Sequence, residues 1–463
     1  MEMETTENVL PQNKMATASV GKLLLTMSLP LMLSMIMEAL YNVVDSLFVA
    51  HVSEKALTAI SLAFPIQILI VSVSVGTGVG VNACLSRMLG AGHRKGVDDA
   101  AKNGIFLACL TYIAFLIFGL FFSKTYFASQ TPDPEILGYG TDYLSICTIY
   151  SFGAIGQITF QRLLQSTGRT LLSMISQLVG AAVNIVFDPI LIFGYLGFPA
   201  MGVKGAAIAT VAGQIIALGL AIFFNLSRNR EINFRFAGFR PDAKMIGEIY
   251  RIGAPAILTQ SLNSLMTFGV NFILIGISST AVAAFGIYIK VQNFVFMPVF
   301  GLTNGVIAIT AFNYGAGARR RIDDAIKYGL FYAACIMLAG TVLVHLLTHL
   351  ILSMFDASAE LISVGTVALR VISLSYIFAA FVLIAQGIYQ GLGNGLYSLI
   401  VTLLRVVVIL LPLLYVFANL FELSRVWWAF ILSEGLSALV GAVLLKQIYL
   451  QKVVNIGAGE KRG

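Results

Sequence analysis

The sequence predicts an all-α integral membrane protein: twelve transmembrane helices arranged as two pseudo-symmetric six-helix bundles. Three observations carry that expectation. Only 11% of the 463 residues are charged and 58% are hydrophobic, where soluble chains carry about 25% charge; mean hydropathy is +0.89. Apolar runs of about 20 residues, each long enough to cross a hydrocarbon core, recur along the whole length. Finally, GAGHRKGVDDAAKNG (90–104) and GAGARRRIDDAIKYG (315–329) match at nine of fifteen positions, at an offset of 225 residues. The same offset takes Pro30 to Pro255, Gln161 to Gln386, Gln165 to Gln390, Gly168 to Gly393 and Ser173 to Ser398, without a gap. Such a long ungapped match is an internal duplication.

The twelve predicted spans are 23–50, 57–85, 103–123, 139–163, 170–196, 202–226, 248–277, 281–312, 327–354, 361–390, 395–418 and 427–449. Glycine, at 43 residues, suits close helix contact in lipid. The stretch Met1 to Val20 holds three Glu and one Lys, Lys14; it lacks the basic start of a cleaved signal, so span one reads as a retained anchor. With a cytoplasmic N-terminus, 22 of the 29 Lys and Arg fall in inner segments. Only Lys55, Lys124, Lys204 and Arg425 fall in outer loops. Both termini are therefore expected on the cytoplasmic side of the cell inner membrane. The formal charge of +7 thus reports topology and excludes a nucleic-acid partner. Cys84, Cys109, Cys147 and Cys335 lie inside spans without pairing or metal spacing and read as small hydrophobes.

The domain reading follows: an N-terminal segment 1–22, an N-lobe 23–226, a linker 227–247, a C-lobe 248–449 and a tail 450–463. Each half has an even number of spans, so the repeats are parallel about an axis along the membrane normal, with a cavity between the bundles. Two matching halves in so apolar a chain point to a membrane transporter. The repeated loops place Arg94, Asp98, Asp99 and Lys102 opposite Arg319, Asp323, Asp324 and Lys327. They read either as gating ion pairs or as ordinary turn chemistry, with Gly at the turn and Asp capping the next helix.

Ionisable groups inside lipid cost several kcal/mol, so each calls for a partner or a role. Spans one and five hold Glu38, Asp45 and Asp188. Asn184 lies one turn before Asp188 on the same face. Pro189 cannot donate to the carbonyl of Ile185, which leaves a free acceptor beside the carboxylate. Asp45, Asp188 and Thr210 all fall roughly 10 Å below the outer boundary at 1.5 Å per residue. Two carboxylates, an amide and a hydroxyl at one depth suit sodium or a shared proton equally, although Asp188 and Asn184 bridging helices is the structural alternative. The offset maps Glu38, Asp45, Asn184 and Asp188 onto Asn263, Val270, Ile409 and Leu413. The ion site is therefore expected in the N-terminal half alone.

At these residues the chain resembles the multidrug and toxic compound extrusion (MATE) family, in its bacterial DinF- and MepA-like branches. The stretches that carry the resemblance are YNVVDSLFVAHVSEKALTAISLAFPI (41–66), the GAG…DDA loop, RLLQSTGRT (162–170), NIVFDPILIFG (184–194) and GVKGAAIAT (202–210). The resemblance implies a V-shaped antiporter that exports cationic or amphipathic drugs against inward proton or sodium movement. It implies a cation site at Asp45, Asn184, Asp188 and Thr210; Glu38, two turns below Asp45 on nearly the same helical face, is added to the candidate set. It also implies gating at Pro30, where helix one would bend on cation uptake, with Pro189 beside the site. The C-lobe acids of NorM-type members are missing from helices seven and ten, where Asn263 stands.

Weaker signals remain open. Gln157, Gln161, Met32, Met35 and Met297 form a candidate drug-contacting wall, though Met is also a common core filler. Lys290 lines the cavity or snorkels outward. Arg405 has no carboxylate at matching depth in its own helix. His345 and His349 read as interfacial. No Walker A, nucleophile-elbow or HExxH pattern occurs, so neither ATP coupling nor an enzyme is expected. No cofactor is expected beyond the coupling ion. The partners are a small-molecule substrate and membrane lipid, and the chain is expected to be a monomer. The rivals are a flippase for lipid-linked sugars, which calls for a more basic cavity, and a membrane-embedded enzyme.

Overall fold

A computed structural model of the protein describes residues 13–355 and 357–456. The expected end segments fall partly outside these limits. Among the described residues the chain is helical throughout its apolar stretches, without strands. Ten spans are unbroken: one (Val20–Ala50), two (Glu54–Gly90), three (Arg94–Phe121), five (Thr170–Phe193), six (Val203–Arg228), seven (Ala243–Ile275), eight (Ser279–Gly315), nine (Arg319–Ser353), eleven (Gly395–Leu420) and twelve (Leu423–Val453). Spans four and ten depart from the sequence expectation of continuous helices. Each is a bent pair: Pro134–Ile149 with Phe152–Ser166 at 41°, and Ala359–Ser373 with Tyr376–Gly391 at 47°. No proline marks either break. Instead the backbone tightens to i→i−3 bonds, Ser151 to Thr148 (3.2 Å) in one and Ser375 to Ile372 (2.9 Å) in the other, and the axis turns there.

The duplication is visible bond by bond. Spans two and eight are both 37 residues long and start 225 residues apart. Gln165 donates to Ser173 (3.0 Å) as Gln390 donates to Ser398 (3.2 Å). Gly168 and Gly393 both take positive φ, 82° and 77°, as do Gly92 and Gly317 in the repeated loops, at 70° and 67°. Those turns need glycine because a Cβ is strained there. The loop acids neither cap the following helices nor form ion pairs with the loop bases among the described residues. Asp98 accepts from the backbone N–H of Asn233 in the linker (2.8 Å), and Asp323 from the Tyr449 hydroxyl (2.7 Å).

The two lobes meet along spans one, two, seven and eight at the end that carries the repeated loops. Glycine makes that approach possible, and the contacts are reciprocal. A Cβ on Gly90 would lie 1.9 Å from the carbonyl oxygen of Phe312, and one on its counterpart Gly315 would lie 2.0 Å from that of Arg87. Gly76 abuts Ile257 as Gly301 abuts Met32, and Gly80 abuts Ile249 as Gly305 lies against Leu24. Each pair is the 225-residue image of the other, so this is an isologous contact between two halves of one chain. Around it, residues 76–86 and 304–313 are buried without a break. Arg87 and Glu248 add an ion pair across the seam. At the opposite end the N-lobe keeps a small core of its own, with Val49, Phe127, Tyr143 and Ile192, separate from the core that runs through both lobes.

Any side chain at Gly90 or Gly315 should hold the sealed end apart. Gly315→Leu should lengthen the distance between spin labels on Arg94→Cys and Arg319→Cys, in a background without native cysteines, by several ångströms. An unchanged distance distribution would remove glycine packing as the determinant of the seal.

Candidate cation site

Span five positions the site because its polar residues fall on one face. Asn184 is 3% exposed and Asp188 is fully buried, both turned from lipid towards spans one and six. The Asn184 side-chain amide donates to Asp188 (3.3 Å) and to the Thr210 hydroxyl on span six (3.4 Å). The helix continues through Pro189 to Phe193. Asp45 approaches from span one, close enough that its charge acts on Asp188. Three oxygens here are buried without any hydrogen-bond donor: one on Asp45, one on Asp188 and the amide oxygen of Asn184. Buried oxygens left unsatisfied carry a desolvation cost of about 1–3 kcal/mol each. A bare hard cation or a proton would satisfy them, since sodium-like ions take oxygen ligands.

Glu38 stands apart from this set. It lies two turns from Asp45, and the charge that acts on it is the Arg162 guanidinium. Arg162 is one of the 22 charges that the sequence assigns to inner segments. The side chain is 5% exposed and donates to Gln165 (3.1 Å) and, across the seam, to Asn304 on span eight (2.7 Å). It slides over Gly78, where a Cβ would lie 2.7 Å from its Cγ. The local sequence signal was the polar run Gln161, Arg162 and Gln165 on one face of span four.

The candidate cavity residues divide. Gln157 and Gln161 both donate to Gln177, at 2.5 and 2.9 Å, and so tie span four to span five. Met32 is buried in the lobe seam against Gly301, while Met35 and Met297 are half-buried. Lys290 is exposed, its ammonium 5.1 Å from the Phe355 ring centroid at the end of span nine. Pro30 sits inside an unbroken span one, where the Ser34 hydroxyl donates to its carbonyl (3.0 Å), as Thr259 does to Pro255 (2.9 Å).

In the C-lobe, Arg405 has a partner that its own helix did not reveal. Glu434 on span twelve accepts from it at 3.0 Å, with Asn263 at 3.4 Å. A π-helical stretch, Leu404–Leu410, presents the guanidinium, and Ser433 donates to the Arg405 carbonyl (2.9 Å). The C-lobe pair is thus neutralised in charge within itself, while the N-lobe carboxylates Asp45 and Asp188 are like charges, the first acting on the second.

Two bundles on a duplicated scaffold are found in known proteins. The sequence profile of the MatE family matches residues 30–190 and 255–416, one match per lobe. The chain belongs to the MatE family. It is a multi-pass membrane transporter of the MATE type, not an enzyme. The multidrug export protein MepA of Staphylococcus aureus (strain bovine RF122 / ET3-1) is 25% identical over 427 residues, covering 92% of this chain and 93% of MepA. A crystal structure of MATE in complex with MaL6 shares the fold with a TM-score of 0.89 at 24% identity, covering 95% and 99% of the two chains. So does the outward-facing conformation of a multidrug resistance MATE family transporter of the MOP superfamily, with TM-score 0.89, 24% identity and coverage of 96% and 99%.

Asp45→Asn and Asp188→Asn each remove a charge and keep the shape. Stabilisation of the purified protein by sodium, or by lowered pH, should fall at least tenfold in apparent affinity, about 1.4 kcal/mol. Melting curves read against sodium concentration and pH measure this, and an unaltered ion dependence in both variants rejects the site. Glu434→Gln leaves Arg405 unpaired in the membrane and should cost about 3–5 kcal/mol. Replacing both partners with Leu and Met should recover most of the lost melting temperature.

Proposed function

We propose that the protein is a cation-coupled antiporter that exports cationic or amphipathic drugs across the cytoplasmic membrane. The observation that carries this reading is the trio of buried, donor-free oxygens on Asp45, Asn184 and Asp188. An inward-moving proton or sodium ion is their natural occupant, with Thr210 beside them as a further oxygen. Relatives named for multidrug export support the direction and the substrate class. The basic charge of the loops supports a cytoplasmic sealed end, with the lobes parting towards the outside.

The coupling follows from charge. Asp45 and Asp188 repel each other while both are ionised and empty. Occupancy by a cation draws spans one and five together. Pro30 leaves the Thr26 carbonyl without its helical donor, so span one yields there first. Its movement narrows the space between the lobes and lowers affinity for a bound drug on the outer side. The Arg162–Asn304 bond and the glycine seam then have to open before the cavity is exposed inward. No further cofactor enters this cycle, and a single chain suffices for it. A flippase for lipid-linked sugars fits less well, because Arg162 and Arg405 are both engaged by protein partners and offer no free basic cavity.

Ethidium efflux from proteoliposomes tests the reading, with pH and sodium gradients imposed separately. At least one gradient should drive efflux, and Asp45→Asn and Asp188→Asn should each lose most of the driven rate. Full driven efflux in both variants, or no response to either gradient, sinks the proposal. A pH response without sodium identifies the ion as the proton.

A further inference from the structure

Away from the lobe seam, two adjoining cavities lie on the membrane-facing side of the C-lobe. The larger, about 550 Å³, runs between the second helix of span ten and span twelve and is walled by Ile377, Phe378, Phe381, Leu432 and Leu439. The smaller, about 370 Å³, continues it towards the loop-bearing end and shares Phe381 and Ala442 with it. Together they make one groove whose floor changes along its length. It is apolar for most of the way and ends among Lys327, Lys446, Tyr449 and Asp323.

Charge at that end is uneven. Asp323 is engaged by the Tyr449 hydroxyl at 2.7 Å, and Arg319 lies over the Tyr449 ring at 5.8 Å. Lys452, one turn further, already donates to the Leu392 carbonyl (2.6 Å). Lys327 and Lys446 are exposed and belong to no ion pair or hydrogen bond among the described residues. An apolar trough closed by two free ammonium groups near the loop-bearing ends of spans nine and twelve has the polarity pattern of an anionic phospholipid. Basic pockets between transmembrane helices take such headgroups, while neutral lipids gain nothing from the two lysines.

We propose that this groove is a binding site for an anionic phospholipid of the leaflet at the loop-bearing end. The acyl chain lies between spans ten and twelve, and the phosphate sits between Lys327 and Lys446. Gly435 keeps the trough open: a Cβ there would meet no atom within 4 Å, so a larger side chain fills the groove without displacing the helix.

Native mass spectrometry of the purified full chain, titrated with phosphatidylglycerol and with phosphatidylcholine, tests the site. Phosphatidylglycerol should be retained in preference. Lys327→Gln with Lys446→Gln should lower its retention about tenfold and erase the preference. Gly435→Leu should lower retention of both lipids, with an unchanged melting temperature as the check on folding. Equal retention of the two lipids by the native chain would falsify the proposal, as would undiminished phosphatidylglycerol binding in the double lysine variant. Displacement of the lipid by inorganic phosphate at the same concentration would also overturn it, since the site would then hold a free anion rather than a lipid.

Discussion

The seam between the lobes is the constraint on which the remaining architecture depends. Lipid supplies no hydrophobic drive for one helix to seek another, so two six-helix bundles stay together only through close packing and shared polar bonds. Here the close packing is backbone against side chain or carbonyl at Gly76, Gly80 and Gly90 and their images Gly301, Gly305 and Gly315. Polar bonds frame it, with Arg162 to Asn304 within the seam and Arg87 to Glu248 at its margin. Because the contact lies at one end of long helices, the other end is free to separate. The candidate cation site draws on the part of span one that lies beyond the seam.

Symmetry and its loss divide the labour. The duplicated features are those that fold the protein: turn glycines, the Gln–Ser bonds linking spans four to five and ten to eleven, and the seam itself. The features without an image are the charges inside the spans, whereas the loop charges are duplicated. Asp45 and Asp188 have Val270 and Leu413 as counterparts, while Arg405 and Glu434 form a closed pair that the N-lobe lacks. One lobe gathers carboxylates of like charge, and the other pairs its acid with a base, although Arg405 Nε and Glu434 Oε2 are themselves left without hydrogen-bond partners.

Most of this architecture was legible in the sequence because its determinants are periodic and local. Hydropathy gave the spans, and a fixed offset gave the halves. Asp188 and Asn184 were legible together because a spacing of four residues places them on one helical face, and depth brought in Asp45 and Thr210. What could not be read were pairings set by the rotation of one helix against another. Arg405 is met by Glu434 from 29 residues away, and Arg162 by Asn304 from 142 away. No spacing rule joins those positions. The bends in spans four and ten were equally hidden, because they rest on a switch in backbone bonding and not on proline. The glycines of the seam were visible as residues, but their opposing carbonyls were not.

The equal length of spans two and eight has a mechanical meaning. At 37 residues each, these helices are about 55 Å long, and they are clamped to the opposite lobe near one extremity. They act as two arms crossed close to their handles. A small rotation at the clamp becomes a displacement several times larger at the far tips.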